Sequence, residues 1–344
     1  MTTRPALLVT TDDELLGAVL RLAAAAGATL DVAHDPGGAL RDWSRSGVVM
    51  VGADQATSLA AQRPPRHEQV YVVGHGPPAD PLYRPALVLG ARWVVELPRD
   101  ETRLVEVLAD ELDGSRTAAR TVGVVAGSGG AGASTFAAAL ALTAARHGPA
   151  LLLDLDPWGP GLDRVVGLDD VPGVRWDALT AASGRLGSRS LRAALPERDS
   201  LAVLTWSGAS STDLEDAAVR EVLSAAQRGS EVVVVDLPRA LVGVAGEVAG
   251  RCDEVVLVVD ATVPGVASAA RAAARLCARG PRVGVVVRAS GGALAAAAVA
   301  ESLALPLLAD YRSRRRVAEQ VDLGLGPLGS RRSPLARAAR AVLG

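Results

Sequence analysis

The stretch "GSGGAGAST" at residues 127–135 packs four glycines together and ends on two hydroxyls. It follows the apolar run "TVGVVAG" (121–127) and precedes the helical pattern "STFAAALALTAARHG". A glycine-rich turn between a strand and a helix lets backbone N–H groups close around an anion, with the helix directing its positive end at it. The chemistry this implies is phosphate binding. A standard phosphate loop adds a lysine as a point charge and a Ser or Thr hydroxyl for Mg2+. Here Ser134 and Thr135 supply hydroxyls, but the lysine is missing. All 36 basic residues of the 344 are arginine, so no lysine from elsewhere can replace it.

Two acidic strand ends accompany the loop: "ALLLDLD" (150–156), with Asp154 and Asp156, and "EVVVVDLP" (231–238), with Asp236. Ligands of doubly wound sheets sit at the carboxyl ends of strands. The elements that must position these residues read as an α/β domain. Further buried strands are expected at 201–205, 253–260 and 282–288, and helices at 134–147, 213–228, 263–279 and 292–303. The glycines of "SGG" (290–292) read as a turn.

Upstream, five short apolar runs (6–10, 30–34, 47–52, 69–74 and 92–97) alternate with helical patterns. Five βα units of this length imply a parallel sheet covered on both faces. The fold class is therefore α/β: an N-terminal receiver-like (βα)5 domain, then a larger P-loop NTPase-type doubly wound parallel-sheet domain. The expected boundaries are 1–112 and 121–344, joined by a linker at 113–120.

Composition narrows the function. The chain is 49% hydrophobic and 22% charged, with one Phe and a net charge of −2. It has no overall basic footprint for nucleic acid and no aromatic platform for single strands, so no specific nucleic acid is expected. Cys252 and Cys277 lack metal-ligand spacing, as do His34, His67, His75 and His147. No signal-peptide layout or bilayer-length apolar run is evident, which reads as cytoplasmic.

The N-terminal half resembles a response-regulator receiver without its chemistry. Gly52 stands near the phosphoacceptor position, with Asp54 two residues on, and Glu96 stands where a receiver has lysine. Phosphotransfer is not expected. Asp12 and Asp13 read as helix-capping carboxylates, and the domain as an interaction module.

The C-terminal half resembles the MinD/ParA family of deviant P-loop ATPases, whose loop reads KGGxGK(T/S)T. Overlaid on it, Ser128 takes the first lysine position and Ala133 the second, with Ser134 and Thr135 retained. The resemblance implies phosphate contacts along Gly127, Ser128, Gly129, Gly130, Ala131, Gly132, Ala133, Ser134 and Thr135. It also implies Mg2+ near Ser134, Asp154 and Asp236, and Asp156 near the attacking water. Arg288 stands near the family's adenine-contacting Asn, and residues 305–328 resemble its stretch from strand to late helix. "GGAGAST" behind a receiver-like domain is similar to the CpaE/TadZ branch, and "GLDRVVGLDDVPGVRWDAL" (161–179) to the actinobacterial septum-site-determining (Ssd) CpaE-like proteins.

That branch implies a spatial regulator of septum placement, with a pilus-positioning role and an active, dimer-cycling ATPase as alternatives. The partners implied are septal or pilus-machinery proteins and a second copy, with recruitment to septum, pole or inner membrane face. The implied cofactor is ATP or ADP with Mg2+, bound weakly. A lost charge-assisted hydrogen bond costs about one to two decades of affinity, and turnover, which needs transition-state charge, suffers more. Arg239 and Arg164 are candidate substitutes, each read first as a solvated surface arginine. "SPLARAARAVLG" (333–344) is expected to form a short helix docked on its own domain in preference to a membrane.

Overall fold

Valine- and leucine-rich runs of four to eight residues form strands because β-branched side chains pack well on a pleated surface. The computed structural model describes residues 5–77, 80–114, 119–179, 186–207, 215–289 and 294–344. The chain divides into two units, Met1–Thr117 and Ala118–Gly344.

The first unit has five strands: β1 (Ala6–Val9), β2 (Leu30–Ala33), β3 (Val49–Gly52), β4 (Val70–His75) and β5 (Trp93–Leu97). They form one parallel sheet in the order β2-β1-β3-β4-β5. β1 and β3 are buried throughout, because helices cover both faces. Trp43 and Leu59 fill one side; Leu15, Leu104 and Leu108 fill the other.

Asp12 caps the helix Asp13–Ala26, accepting hydrogen bonds from the Glu14 and Leu15 amides. Its carboxylate thus serves the capping role its position suggests. Asp54 closes the receiver-like site from another direction. Its carboxylate accepts from Thr10 Oγ1 at 2.9 Å and from Thr11 N and Oγ1 at 2.8 Å each. It lies over Gly52, where any Cβ would collide with it.

Burial alone would raise the Asp54 pKa. The Thr11, Thr10 and Gln55 hydrogen bonds outweigh it and hold the carboxyl below its ordinary 3.8. A depressed folded pKa gives stability that is full above the unfolded value and lost as pH falls through the folded one. Asp54→Asn should lower the melting temperature of the first unit at pH 7 by about 4–8 °C and flatten its loss of stability below pH ~4. Thermal scans of the full chain from pH 7 to 3 check this.

The second unit carries β6 (Arg120–Ala126), β7 (Ala150–Asp154), β8 (Glu197–Arg198), β9 (Leu201–Leu204), β10 (Val232–Leu237), β11 (Glu254–Asp260), β12 (Arg282–Ala289) and β13 (Leu307–Arg312). Their order is β13-β12-β11-β6-β10-β7-β9-β8, parallel except where β8 pairs antiparallel with β9. This is the expected doubly wound sheet; the two-residue β8 has too little pattern to be read in advance. The helix Glu101–Gly114 runs into the span expected as linker, and β6 begins at Arg120. Residues 115–118, the turn at 290–292 and the beginnings of the expected 213–228 and 292–303 helices lie outside the described residues.

The helix Ala133–Ala144 is apolar nearly all round, and Phe136, Ala137, Ala138, Ala139, Leu140 and Ala141 are fully buried. A helix hydrophobic on every side must be covered on every side. The sheet covers one side. The helix Pro334–Leu343 covers another with Leu335, Ala338, Ala339 and Val342. Ser333 caps its N-terminus through the Ala336 amide, 3.1 Å away. Arg120 donates to the Leu343 and Val342 carbonyls at 2.6 and 2.8 Å and pairs with Glu254 at 2.9 Å. The helix thus docks on its own unit. Leu335→Ala should cost about 2–5 kcal/mol, read as a lowered urea midpoint of the second unit.

Candidate functional site

The glycine loop leaves the central strand β6, which lies between β11 and β10. Gly127 is where it turns away. A Cβ there would lie 2.8 Å from that of Ala269, on the helix Val263–Cys277, so only glycine lets this helix pack so closely. Gly130 and Gly132 have φ of +72° and +90°, the left-handed region that glycine enters without strain. Gly132 is the residue from which the helix Ala133–Ala144 starts. The first amides of a helix have no intrahelical partner, so this end presents N–H groups and the dipole's positive pole together.

A cavity of 430 Å3 opens on the loop. Its lining includes Gly129 through Thr135, together with Asp156, Asp236, Arg239 and Arg288. Three residues expected in the site stand outside this lining. Gly127 lines a neighbouring cavity instead. The Ser128 carbonyl accepts from the Ala131 amide and closes the turn. Asp154 is almost fully buried behind the cavity. Its Oδ2 accepts from the Thr205 hydroxyl at 2.6 Å, its Oδ1 from the Asp156 amide at 3.1 Å, and its backbone carbonyl from Trp176 Nε1 at 2.7 Å. Ala133, at the family's second lysine position, is only 6% exposed and packs into the apolar core.

Asp154 and Asp236 face each other across adjacent strands, paired in register between β7 and β10. Burial raises both carboxyl pKa values; for Asp236 the neighbouring charge of Asp154 raises it further, while the Ser134 hydroxyl works in the opposite direction. A buried like-charged pair asks for a proton or a cation. Among the described residues, no group of three or more His, Cys, Asp or Glu is placed to hold a metal ion. Mg2+ characteristically takes one or two carboxylates plus phosphate oxygens, so this donor set fits Mg2+ carried with a phosphate.

Arg288 lies one residue before the end of β12, beside Asp260, its register partner on β11, with Nε 3.5 Å from Asp260 Oδ1. Its Nη1 lies 3.0 Å from where a Cβ on Gly132 would be. The resemblance put Arg288 near a base-contacting position, and the structure also brings its guanidinium against the phosphate loop. A second cavity, of 330 Å3, shares Gly132, Thr135 and Arg288 with the first. Tyr311, the segment Arg312–Arg315 and Val317 are part of its wall. Phe136 stacks on Tyr311 with centroids 6.0 Å apart. The two cavities thus adjoin, one lined by glycines and carboxylates and the other by Tyr311 and the Arg312–Arg315 segment. Arg239 lines the first of them, whereas Arg164 points its Nη1 toward the Pro160 carbonyl, 3.4 Å away.

Thr205, Trp176 and Tyr311 were not anticipated as site residues. Thr205 ends an expected strand, which was the one available signal. Trp176 and Tyr311 reach the site only through tertiary packing. If charge repulsion beneath the loop is as described, Asp236→Asn should stabilise the ligand-free protein by on the order of 1 kcal/mol. A raised thermal midpoint in metal-free buffer is the readout.

Residues 9–120 match the family described as Rv3660c-like, CheY-like N-terminal domain. Two Mycobacterium tuberculosis proteins, "Uncharacterized protein Rv3660c" and "Uncharacterized protein MT3760", are each 40% identical over 344 residues, spanning 97% of this chain and 95% of theirs. Among solved structures, a ParA family ATPase from Chlorobium tepidum aligns with a TM-score of 0.59 at 19% identity, covering 66% of this chain and 98% of that one. The MinC:MinD cell division protein complex of Aquifex aeolicus aligns at 0.53, 19% identity, 66% and 96%. The septum site-determining protein MinD of Pyrococcus horikoshii, complexed with Mg-ADP, aligns at 0.52, 19% identity, 65% and 94%. The second unit has the ParA/MinD fold.

Proposed function

The chain belongs to the Rv3660c-like family, and from that premise we propose that it is a spatial regulator of septum placement that responds to ATP or ADP with Mg2+ through a lysine-less phosphate loop. The observation that carries this reading is the 430 Å3 cavity in which the glycine loop, the helix N-terminus, Asp156 and Asp236 converge. The MinD structures that share the fold are named for septum-site determination and cell division, which supports the septal assignment.

In this reading the loop amides receive phosphate oxygens. Ser134 and Asp236 hold Mg2+, with Asp154 behind them, and the ion when bound neutralises the buried carboxylates. Arg288 contributes positive charge from the cavity wall. It is tethered to Asp260 by an ion pair, so it favours binding more than it follows charge developing on a transferring phosphoryl group. Asp156 lies where a water-orienting carboxylate would act. Without a mobile lysine, occupancy of the site and not cleavage is the signal. Nucleotide favours pairing with a second copy, and the receiver-like unit contacts septal proteins. The described residues include no helix long and apolar enough to cross a membrane.

Calorimetry with Mg-ATP and Mg-ADP should show saturable binding, about 10- to 100-fold weaker than in an Ala133→Lys variant whose fold is intact. Phosphate release should stay at background. Robust turnover abolished by Asp156→Ala would overturn the non-hydrolysing reading. A tagged protein concentrating at pilus sites or cell poles, and not at septa, would overturn the septal one.

A further inference from the structure

A separate cavity of 260 Å3 opens against Gly127. One wall is the helix Val263–Cys277, whose Ser268, Arg271 and Arg275 follow one another at intervals of three and four and so share a face. The other wall is the segment after β10, which contributes Arg239 and Ala240. The helix buries its opposite side through Ala269, Ala273 and Leu276, which fixes the arginine face toward the cavity.

Three arginines therefore line one concavity, and among the described residues no carboxylate lines it. Among the described residues none of the three side chains has a hydrogen bond or ion pair. Other arginines of this unit are placed differently: Arg220 and Arg251 both reach Glu247. Like charges gathered around a hollow without a counter-charge repel one another, and a bound anion turns that repulsion into attraction. Guanidinium forks match phosphate oxygens two at a time, and Ser268 adds a hydroxyl donor.

We propose that this cavity is a binding site for a compact oligophosphate anion, distinct from the glycine-loop cavity. Three positive charges exceed what a single carboxylate can satisfy, which favours a multiply charged group over an acidic side chain of a partner. Enclosure between two elements suits a small group, whereas duplex DNA is held by a broad basic face. Arg239 also lines the glycine-loop cavity, so one guanidinium stands between the two sites.

The test is calorimetric titration of the full chain with inorganic tripolyphosphate at low salt. The wild type is compared with an Arg271→Ala/Arg275→Ala double variant and with Arg288→Ala on the loop side. Both helix arginines are exposed, and alanine favours the helix, so the double variant should keep its fold, checked by an unchanged thermal midpoint. Run without Mg2+, which the glycine-loop site is proposed to need, the titration should show one saturable site, weakened at least about tenfold in the double variant and held within about twofold in Arg288→Ala. Three outcomes would overturn the proposal: no saturable binding to the wild type; a loss confined to Arg288→Ala, which places the anion in the glycine loop; or a short DNA duplex that outcompetes tripolyphosphate through Arg271 and Arg275. Mg-ATP titration of the same variants reports on the nucleotide reading separately, so either can fail alone.

Discussion

Close packing of the helix Ala133–Ala144 is the constraint from which the rest of the second unit follows. Its side chains are mostly alanine, so the sheet and the helix Pro334–Leu343 both approach it tightly, and a single methylene added at Ala137 or Ala141 has nowhere to go. A helix held this firmly cannot shift its N-terminus, and the glycine loop is therefore fixed relative to β6, β7 and β10. Arg120 ties the arrangement together by gripping the last carbonyls of the covering helix from the first residue of the central strand. The site is rigid because the core beneath it is.

That rigidity is spent on holding charge where water is scarce. Asp154 and Asp236 sit side by side at strand ends, one gripped by Thr205, the other below Ser134. A cation carried by phosphate would relieve the repulsion between these two carboxylates. Arginine stands in for lysine across the chain, but not as an equal. A lysine on a loop helix swings on a flexible stem; Arg288 projects from a strand and is braced by Asp260. The replacement keeps charge near the phosphate end of the cavity and removes its freedom to move.

Much of this was legible in the sequence because it is written in local patterns. The strand-loop-helix context of residues 121–147 and the acidic ends of "LLLDLD" and "VVVVDLP" locate the cavity, since strand ends and loops are defined within a few residues of themselves. The capping role of Asp12 was equally local. What stayed hidden depends on distant contacts. Nothing near Asp54 announces that Thr10 and Thr11, forty-odd positions earlier, would close over it. Nothing in "VVVRA" tells that Arg288 folds against Gly132. The resemblance put Asp154 near Mg2+, and distant Thr205 and Trp176 hold it behind the cavity wall. The arginine-lined hollow was invisible for the same reason: Arg239 and Arg271 lie on different elements, and a helical periodicity of three and four reads as an ordinary solvated face until its neighbour is known.

Arg239 gives the loop after β10 a property that neither cavity has by itself. One side chain cannot neutralise two anions at once, so whichever cavity engages it leaves the other poorer by one charge. With anions in both cavities, thermodynamic reciprocity would fix both the sign and the symmetry of the effect: filling either site would lower the affinity of the other by the same factor. A residue three positions past Asp236 would thus act as a balance between two ligands, with no change of backbone required.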